Sequence, residues 1–177
     1  MSMDELSRAD RDWLARAEPG WASAKVQHLL SQDSYVSSPS SPLSVRYYIG
    51  EDELLWAKVV FGPRTQGPPG FAHGGSMAAL LDEGMGAAAW ATGRMVVAAS
   101  MRLDYRQMLP IPQRCLVEAR VERVEGRKLW TRARLTDVSR TKLYSESEGL
   151  FLDMGSKVYE ALGGEALRIP AKLKSVR

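Results

Sequence analysis

The sequence predicts an α+β fold in which one antiparallel β-sheet wraps around a central long helix. Three observations favour it: a run that is apolar on every helical face, two strand-like runs before it and four after it. The central run, SMAALLDEGMGAAAWAT at residues 76–92, covers about four to five helical turns and is rich in alanine and glycine. A helix that is apolar all round is expected to be buried on every side, which a wrapped sheet provides.

The strands are predicted from apolar runs that end at turn residues. LSVRYYIG at 43–50 and LLWAKVVFG at 54–62 precede the helix. Val117, Ala119 and Val121 alternate with charged residues, which indicates a sheet with one dry face and one wet face. The runs after the helix, which we expect to form a four-stranded meander, lie at 95–108, 115–126, 127–138 and 142–153.

Composition and charge exclude several classes of protein. A chain of 177 residues that is 45% hydrophobic and 25% charged is typical of one globular domain. The single cysteine, Cys115, excludes an internal disulfide framework, and two histidines exclude a multi-histidine metal centre. The net charge of +3 gives no argument for nucleic acid, and no apolar run is long enough to span a membrane. We therefore expect a cytoplasmic, metal-free protein.

The two ends of the chain are expected to flank a domain at residues 43–154. Residues 1–42 are predicted as a helical extension and loop, with a first helix ended by Pro19-Gly20 and a second at 21–30. Residues 155–177 are predicted as a loosely ordered basic tail. The first helix is predicted from apolar residues at helical spacing, which are Leu6, Ala9, Trp13 and Ala17.

The candidate catalytic groups lie on the central helix and at its start. Asp82 and Glu83 are its only carboxylates, and adjacent helical positions point about 100° apart, so we expect them to have different surroundings. Either one of them has a chemical role, or both lie on one wetted stripe. His73, Gly74 and Gly75 precede this run. The free N–H groups at a helix start suit an oxyanion, and a tight turn without a ligand is the alternative.

The spacing of Gly75 and Asp82 predicts a dimer. Seven residues separate them, which places them on similar faces of the helix but about 10 Å apart along its axis. A carbonyl bound at the Gly75 N–H is out of reach of Asp82 on the same helix. If both groups act on one substrate, the carboxylate comes from a second chain. We therefore predict a homodimer with antiparallel central helices and shared active sites, and leave the pairing of dimers into tetramers open.

The segment HGGSMAALLDEGMG resembles the HGG-helix-Asp segment of the hotdog-fold acyl-CoA thioesterases. Thioesterase superfamily members 4 and 5 and the phenylacetate-degradation type belong to this group. The resemblance continues through LDYRQMLPIP, RVERVEGRKLW and KLYSESEGLFL and covers roughly residues 43–154. It implies the hotdog fold and the hydrolysis of acyl-CoA to a free fatty acid and CoA, with no cofactor beyond the CoA of the substrate.

The resemblance also implies a role for individual residues. The Gly75 N–H would polarise the thioester carbonyl, and Asp82 of the partner subunit would act as general base or nucleophile. Gly74 and His73 would shape the loop, and we rank His73 below Asp82 as a base. Contacts with CoA would fall on Asp104 and Arg106 near a strand end and on Arg127 and Lys128 in a turn, and solvated turn charges are the alternative for the last two.

One position departs from the family, and it keeps a second hypothesis open. Ala98 stands where members 4 and 5 carry a threonine, and alanine has no hydroxyl. Ser100 is expected to face the same side of the strand and to be a candidate replacement. The alternative function is a catalytically weak acyl-CoA or acyl-carrier binding protein of the same fold. Hydration or dehydration of a thioester ranks below it, and nucleic-acid binding through the basic tail ranks last.

The acyl preference is predicted from the helix composition. Its many small residues leave room for an apolar chain, which favours medium-to-long acyl groups. The pocket floor is expected to include Met85, Trp90 and Met101.

Overall fold

A computed structural model of the chain describes residues 6–23, 34–52 and 54–161, which form three α-helices and seven strands. A short 3-10 turn at Pro63–Thr65 follows the third strand. The helices and strands in chain order are α1 (Arg8–Ala15), β1 (Trp21–Ser23), β2 (Leu43–Gly50), β3 (Leu55–Phe61), α2 (Gly74–Ala91), β4 (Val96–Tyr105), β5 (Gln113–Glu125), β6 (Lys128–Asp137), β7 (Leu143–Asp153) and α3 (Ser156–Ala161).

The strands form one antiparallel sheet in the order β1-β2-β3-β5-β6-β7-β4, with α2 packed across its inner face. β5, β6 and β7 form the predicted meander, but the inclusion of β4 in it is wrong, because β4 pairs with β7 at the far edge. The loop 106–112 explains this difference. Its backbone is bonded to the segment before α2, with Ala72 N–H donating to Leu109 O at 2.8 Å and Ile111 N–H to Gly70 O at 3.0 Å. The loop therefore crosses the start of α2, and the chain enters β5 next to β3 and not next to β4.

The inner face of the sheet and α2 share one hydrophobic core. Val117 and Ala119 are buried in it, whereas Arg120 points outward and is exposed, which confirms the predicted dry and wet faces. The largest fully buried side chains of this core include Phe61, Leu55, Leu80, Leu81, Met85, Leu129 and Leu135. Each such side chain contributes about 1.5–3 kcal/mol through its removal from water.

One face of α2 is not covered by the described residues of its own chain. Ala78, Ala79, Asp82, Gly86 and Trp90 are partly exposed and recur at helical spacing, so they lie on one side of the helix. The opposite side is buried against the sheet through Met77, Leu80, Leu81, Gly84, Met85, Ala87, Ala88 and Ala89. The composition predicted that α2 is buried on every side, but the described part of one chain leaves this face partly exposed.

The first predicted helix is confirmed as α1, which packs on the outer face of the sheet. The Ser7 side chain caps it by accepting the Asp10 N–H at 3.1 Å. Trp13 and Leu14 are buried against β3 and β5. The fully buried Lys58 of β3 lies beneath α1, and its ammonium group donates to backbone and side-chain oxygens of Trp13 (3.3 Å), Arg16 (2.6 Å) and Glu18 (2.5 Å).

The prediction of a helix beginning at Trp21 is wrong. Residues Trp21–Ser23 form β1, which pairs with β2 at the edge of the sheet. The Trp21 ring stacks on Trp56 at 4.9 Å between ring centroids, and this stacking and the ladder hydrogen bonds together outweigh the helical periodicity. Residues 24–30 of the predicted helix lie outside the described residues. So does most of the predicted tail, of which α3 is the described part.

Within the described residues, no helix has the length and apolar character needed to cross a membrane.

We expect Lys58→Met to lower the free energy of unfolding by about 2–4 kcal/mol, because it leaves buried oxygen acceptors without a donor. Urea denaturation measures this change. Glu18→Gln is the control: it removes only the charge of a partly exposed partner and is expected to cost about 1 kcal/mol or less. A loss in Lys58→Met no larger than that in Glu18→Gln would show that Lys58 does not anchor α1.

Candidate active site

The HGG motif forms a tight turn at the start of α2. His73 is the N-cap residue, and its Nδ1 accepts the Gly75 N–H at 2.9 Å. The Tyr105 hydroxyl donates to the Gly74 carbonyl at 3.0 Å. A Cβ atom would lie 3.0 Å from this hydroxyl at Gly74 and 2.8 Å from His73 Nδ1 at Gly75, so both positions favour glycine. The predicted oxyanion donor is therefore present and exposed, with the His73 imidazole as its acceptor in this structure.

Asp82 lies two turns further along the open face of α2. It is half-buried, and within the described part of the chain it has no hydrogen bond or ion pair. Burial raises the pKa of its carboxyl above the ordinary aspartate value, and the charge of Glu83 raises it further. An unpaired carboxylate with a raised pKa suits the role of a base.

Glu83 has different surroundings, as the sequence predicts. Its carboxylate accepts hydrogen bonds from the hydroxyls of Ser34, Ser37 and Tyr47, the last at 2.7 Å. Burial raises the pKa of the Tyr47 hydroxyl well above its usual value, and the negative charge of Glu83 adds to this effect. Glu83 is therefore tied into the fold, while Asp82 is left free to face a ligand.

Two of the predicted CoA contacts lie near the end of β4, on the outer face of the sheet. Arg106 pairs with Glu146 of β7 at 2.8 Å. Asp104 lies 3.4 Å from Arg106 and 3.6 Å from Arg102. These side chains already form a surface ion-pair network, so a phosphate would have to compete with Glu146 for the Arg106 guanidinium.

The other two predicted contacts lie at the opposite end of the sheet. Arg127 and Lys128 occupy the hairpin turn between β5 and β6, where Arg127 Nε donates to the Asp153 carbonyl at 2.8 Å. Lys128 is opposite Leu152 in the register, and Asp104 is opposite Glu146. Six residues of β7 therefore separate the two pairs, which is about 20 Å of strand. One chain does not bring all four residues to one site.

The prediction that Ser100 faces the same side as Ala98 is wrong. A bulge in β4 shifts the register between them, so Ala98 lies opposite the inward Phe151 and Ser100 lies opposite Leu150, which points outward. The extra residue in a bulge reverses the alternation of side chains beyond it. No hydroxyl from Ser100 is available on the face of β4 where the family threonine would stand.

The residues expected at the pocket floor differ in accessibility. Met85 is fully buried, with its sulfur 3.7 Å from the Ser147 hydroxyl, and belongs to the core. Trp90 is partly exposed and donates through Nε1 to the Val96 carbonyl at 3.1 Å. Met101 is 40% exposed beside α2 and is accessible to an acyl chain. Of these three residues, Met85 is therefore the one that cannot line an open pocket as predicted.

Sequence reasoning missed Tyr105 and the three hydroxyls on Glu83. Nothing local marks Tyr105, because its partner Gly74 is 31 residues away. Tyr47 did carry a signal: a tyrosine on the inner face of a sheet needs a partner for its hydroxyl, and Glu83 was the nearby candidate on the helix. Among the described residues, no three His, Cys, Asp or Glu side chains converge on a point that could hold a metal ion.

Comparison with known proteins finds relatives among the thioesterases. Residues 69–144 match the family model of the thioesterase superfamily. The chain is 33% identical over 93 residues to the acyl-coenzyme A thioesterase THEM4 of Xenopus laevis, and the match covers 52% of this chain and 42% of that protein. The chain thus spans less than half the length of this relative.

Solved structures agree at the level of the fold. A thioesterase superfamily protein aligns with a TM-score of 0.60 and 29% identity, over 66% of this chain and 61% of that one. A hypothetical thioesterase from Streptococcus pneumoniae, crystallised with coenzyme A, aligns with a TM-score of 0.59 and 12% identity, over 63% and 87% of the two chains. The resemblance and the fold class predicted from the sequence are therefore confirmed: the segment 69–144, which carries α2, β4, β5 and β6, matches the thioesterase superfamily, and the fold is that of the hotdog thioesterases.

Proposed function

We propose that this protein hydrolyses acyl-CoA thioesters to a free fatty acid and CoA, with medium-to-long acyl chains favoured. The observation that carries this proposal is Asp82, a half-buried carboxylate that has no partner among the described residues and lies on the open face of α2, in a segment that matches the thioesterase superfamily. The match to a protein named acyl-coenzyme A thioesterase supports it. The proposed setting is fatty acid metabolism in the cytoplasm, where the buried Cys115 thiol stays reduced.

The proposed active site lies between two chains. Among the described strands, β4 is an edge strand of ten residues, and its side chains Met101 and Tyr105 are 40% and 53% exposed. A long edge strand with exposed apolar side chains is usually paired with a strand of another chain or covered by another element. A second copy that pairs along β4, with its α2 antiparallel to the first, would cover the open face of the helix. It would also bring Asp82 of one chain toward Gly75 of the other.

The same antiparallel arrangement would bring the four CoA contacts to one site. Asp104 lies toward the start of α2, since its neighbour Tyr105 contacts Gly74. The turn at Arg127–Lys128 lies toward the end of α2, since Arg94, just beyond that end, donates to the Gly126 carbonyl at 3.1 Å. In an antiparallel dimer, the turn of one chain approaches the β4 end of the other. The 20 Å separation within one chain is then no obstacle to a shared CoA site.

In the proposed reaction, the thioester carbonyl replaces His73 as the acceptor of the Gly75 N–H. The His73 side chain is exposed and can turn away when the substrate enters. The tetrahedral transition state carries negative charge on the carbonyl oxygen, which makes it a stronger acceptor than a neutral imidazole. The dipole of the 18-residue helix adds to this stabilisation at its N-terminus.

Asp82 of the partner subunit would supply the base. It takes a proton from water, the hydroxide attacks the carbonyl carbon, and the C–S bond breaks as the CoA sulfur leaves and is protonated. Direct attack by the carboxylate, with hydrolysis of the resulting anhydride, uses the same residue. Either route needs Asp82 ionised, so activity is lost as the pH falls through its raised pKa.

A binding protein for acyl-CoA is the second candidate. Ala98 has no hydroxyl to hold a water molecule, and the bulge directs Ser100 to the other face. The Gly75 N–H is also capped by His73. These observations favour tight acyl-CoA binding with negligible release of thiol.

Asp82→Asn is expected to lower kcat for acyl-CoA hydrolysis at least about 100-fold, because it keeps the shape of the side chain and removes the base. The measurement is thiol release, followed with a thiol-trapping dye across acyl chain lengths. Asp52→Asn is the matched control, since Asp52 is an exposed carboxylate in the turn between β2 and β3. Unchanged turnover in Asp82→Asn contradicts the assignment of the base, and acyl-CoA binding by a wild-type protein that releases no thiol favours the second candidate.

Complementation tests the shared site. Gly75→Pro removes the N–H donor, and Asp82→Asn removes the base, so each variant alone is expected to be inactive. Co-expressed chains form heterodimers in which one of two sites is intact, and random pairing restores about a quarter of wild-type activity. Activity of the purified mixture per total protein is the readout. A mixture as inactive as either variant would show that both groups act from the same chain.

A further inference from the structure

The carboxylate of Glu83 is held by a clamp of three hydroxyls that no step of the proposed reaction uses. Oε1 accepts from Ser37 Oγ and from Tyr47 Oη, and Oε2 accepts from Ser34 Oγ. We call these three residues the hydroxyl clamp. Tyr47 is buried in β2, and the two serines come from the turn at residues 34–38. Segments separated from Glu83 by 36 to 49 residues thus converge on one side chain of α2.

The clamp distinguishes two adjacent carboxylates. A negative charge close to a second carboxyl makes that carboxyl harder to ionise. Three donors fix the position of the Glu83 carboxylate, so its charge lies at one place beside Asp82. Asp82 has no such donors in the described part of the chain. The clamp therefore holds Glu83 in place and leaves Asp82 free on the open face of the helix.

We propose that the clamped Glu83 is a positioning residue for the base: the clamp holds its negative charge at a fixed place beside Asp82, and this charge strengthens Asp82 as a proton acceptor. This inference rests on the proposed thioesterase function. Glu83 acts through Asp82 and does not touch the substrate. The clamp also holds α2 against β2, which fixes the side of the helix that Asp82 presents.

The charged groups around Asp82 support this role. Burial is the larger cause of the raised pKa of Asp82, and among the described residues Glu83 is the charged side chain that adds to it. No lysine, arginine or histidine of the described residues pairs with Asp82 or with Glu83. The groups that face Glu83 are Ser34, Ser37 and Tyr47, and the raised pKa of Tyr47 keeps its hydroxyl a donor throughout the working pH range.

The test is the pH profile of kcat/KM in Glu83→Gln, in which the side-chain size and one acceptor oxygen are kept and the charge is lost. Without the charge, Asp82 becomes a weaker base that stays ionised at lower pH. The acid limb of the profile is therefore expected to move to lower pH, and the plateau rate to fall about threefold to tenfold. Glu51→Gln is the matched control, because Glu51 is exposed in the turn between β2 and β3, and its profile is expected to coincide with the wild type.

Tyr47→Phe is the second variant, and it keeps the charge while removing one donor from the clamp. The charge beside Asp82 is then kept, so the acid limb is expected to stay at the wild-type midpoint while the loosened clamp lowers kcat. A purely structural role for Glu83 would lower kcat or the unfolding temperature in Glu83→Gln as well and leave its midpoint in place. An unchanged midpoint in Glu83→Gln, with Asp82→Asn inactive, would overturn this inference and leave the proposed function standing. A wild-type protein that releases no thiol would overturn both.

Discussion

Close packing between α2 and the sheet is the constraint on which the rest of the structure depends. A Cβ at Gly84 would lie 3.4 Å from Val117 Cγ1, and a Cβ at Gly149 would lie 3.2 Å from Met85 Cε. The helix and the strands therefore approach each other at a distance that small residues permit. This contact decides which side of α2 is buried and which side is open. Asp82 and Gly75 lie on the open side because the opposite side is occupied by the core.

The elements of the fold were predictable from local pattern, because periodicity and turn residues are local properties. The helix at 76–92 and the runs at 43–50 and 142–153 correspond closely to α2, β2 and β7. The position of β4 was not predictable in this way. Its pairing with β7 depends on the loop 106–112, which crosses the start of α2 and separates β4 from β5. The short strand β1 was missed because stacking between Trp21 and Trp56 is a contact between distant parts of the sequence.

The residues of the candidate site likewise fall into two groups: those that a local motif reveals and those whose surroundings depend on distant parts of the chain. His73, Gly74, Gly75 and Asp82 belong to one continuous motif, so the sequence could single them out as candidates, and the family resemblance supplied the proposed role of each. The side-chain direction of Ser100 depended on a bulge, which a strict period of two does not contain. The hydroxyl clamp on Glu83 depended on serines 46 and 49 residues away, for which no sequence pattern exists. What the sequence could not supply was the environment of each group.

The two carboxylates of α2 show how one helix can serve both the fold and the proposed chemistry. Glu83 satisfies its oxygens within the chain and ties the helix to β2. Asp82 is half-buried and has no partner in the part of the chain that the structure describes, a state that costs stability and is typical of functional residues. The His73 side chain accepts the Gly75 N–H, so this donor, like the Glu83 carboxylate, has a partner within the chain. The His73 side chain, however, is exposed and can turn away. Within one chain the donor is capped and the base is two turns distant, so only a second chain and a substrate would bring the proposed catalytic groups together.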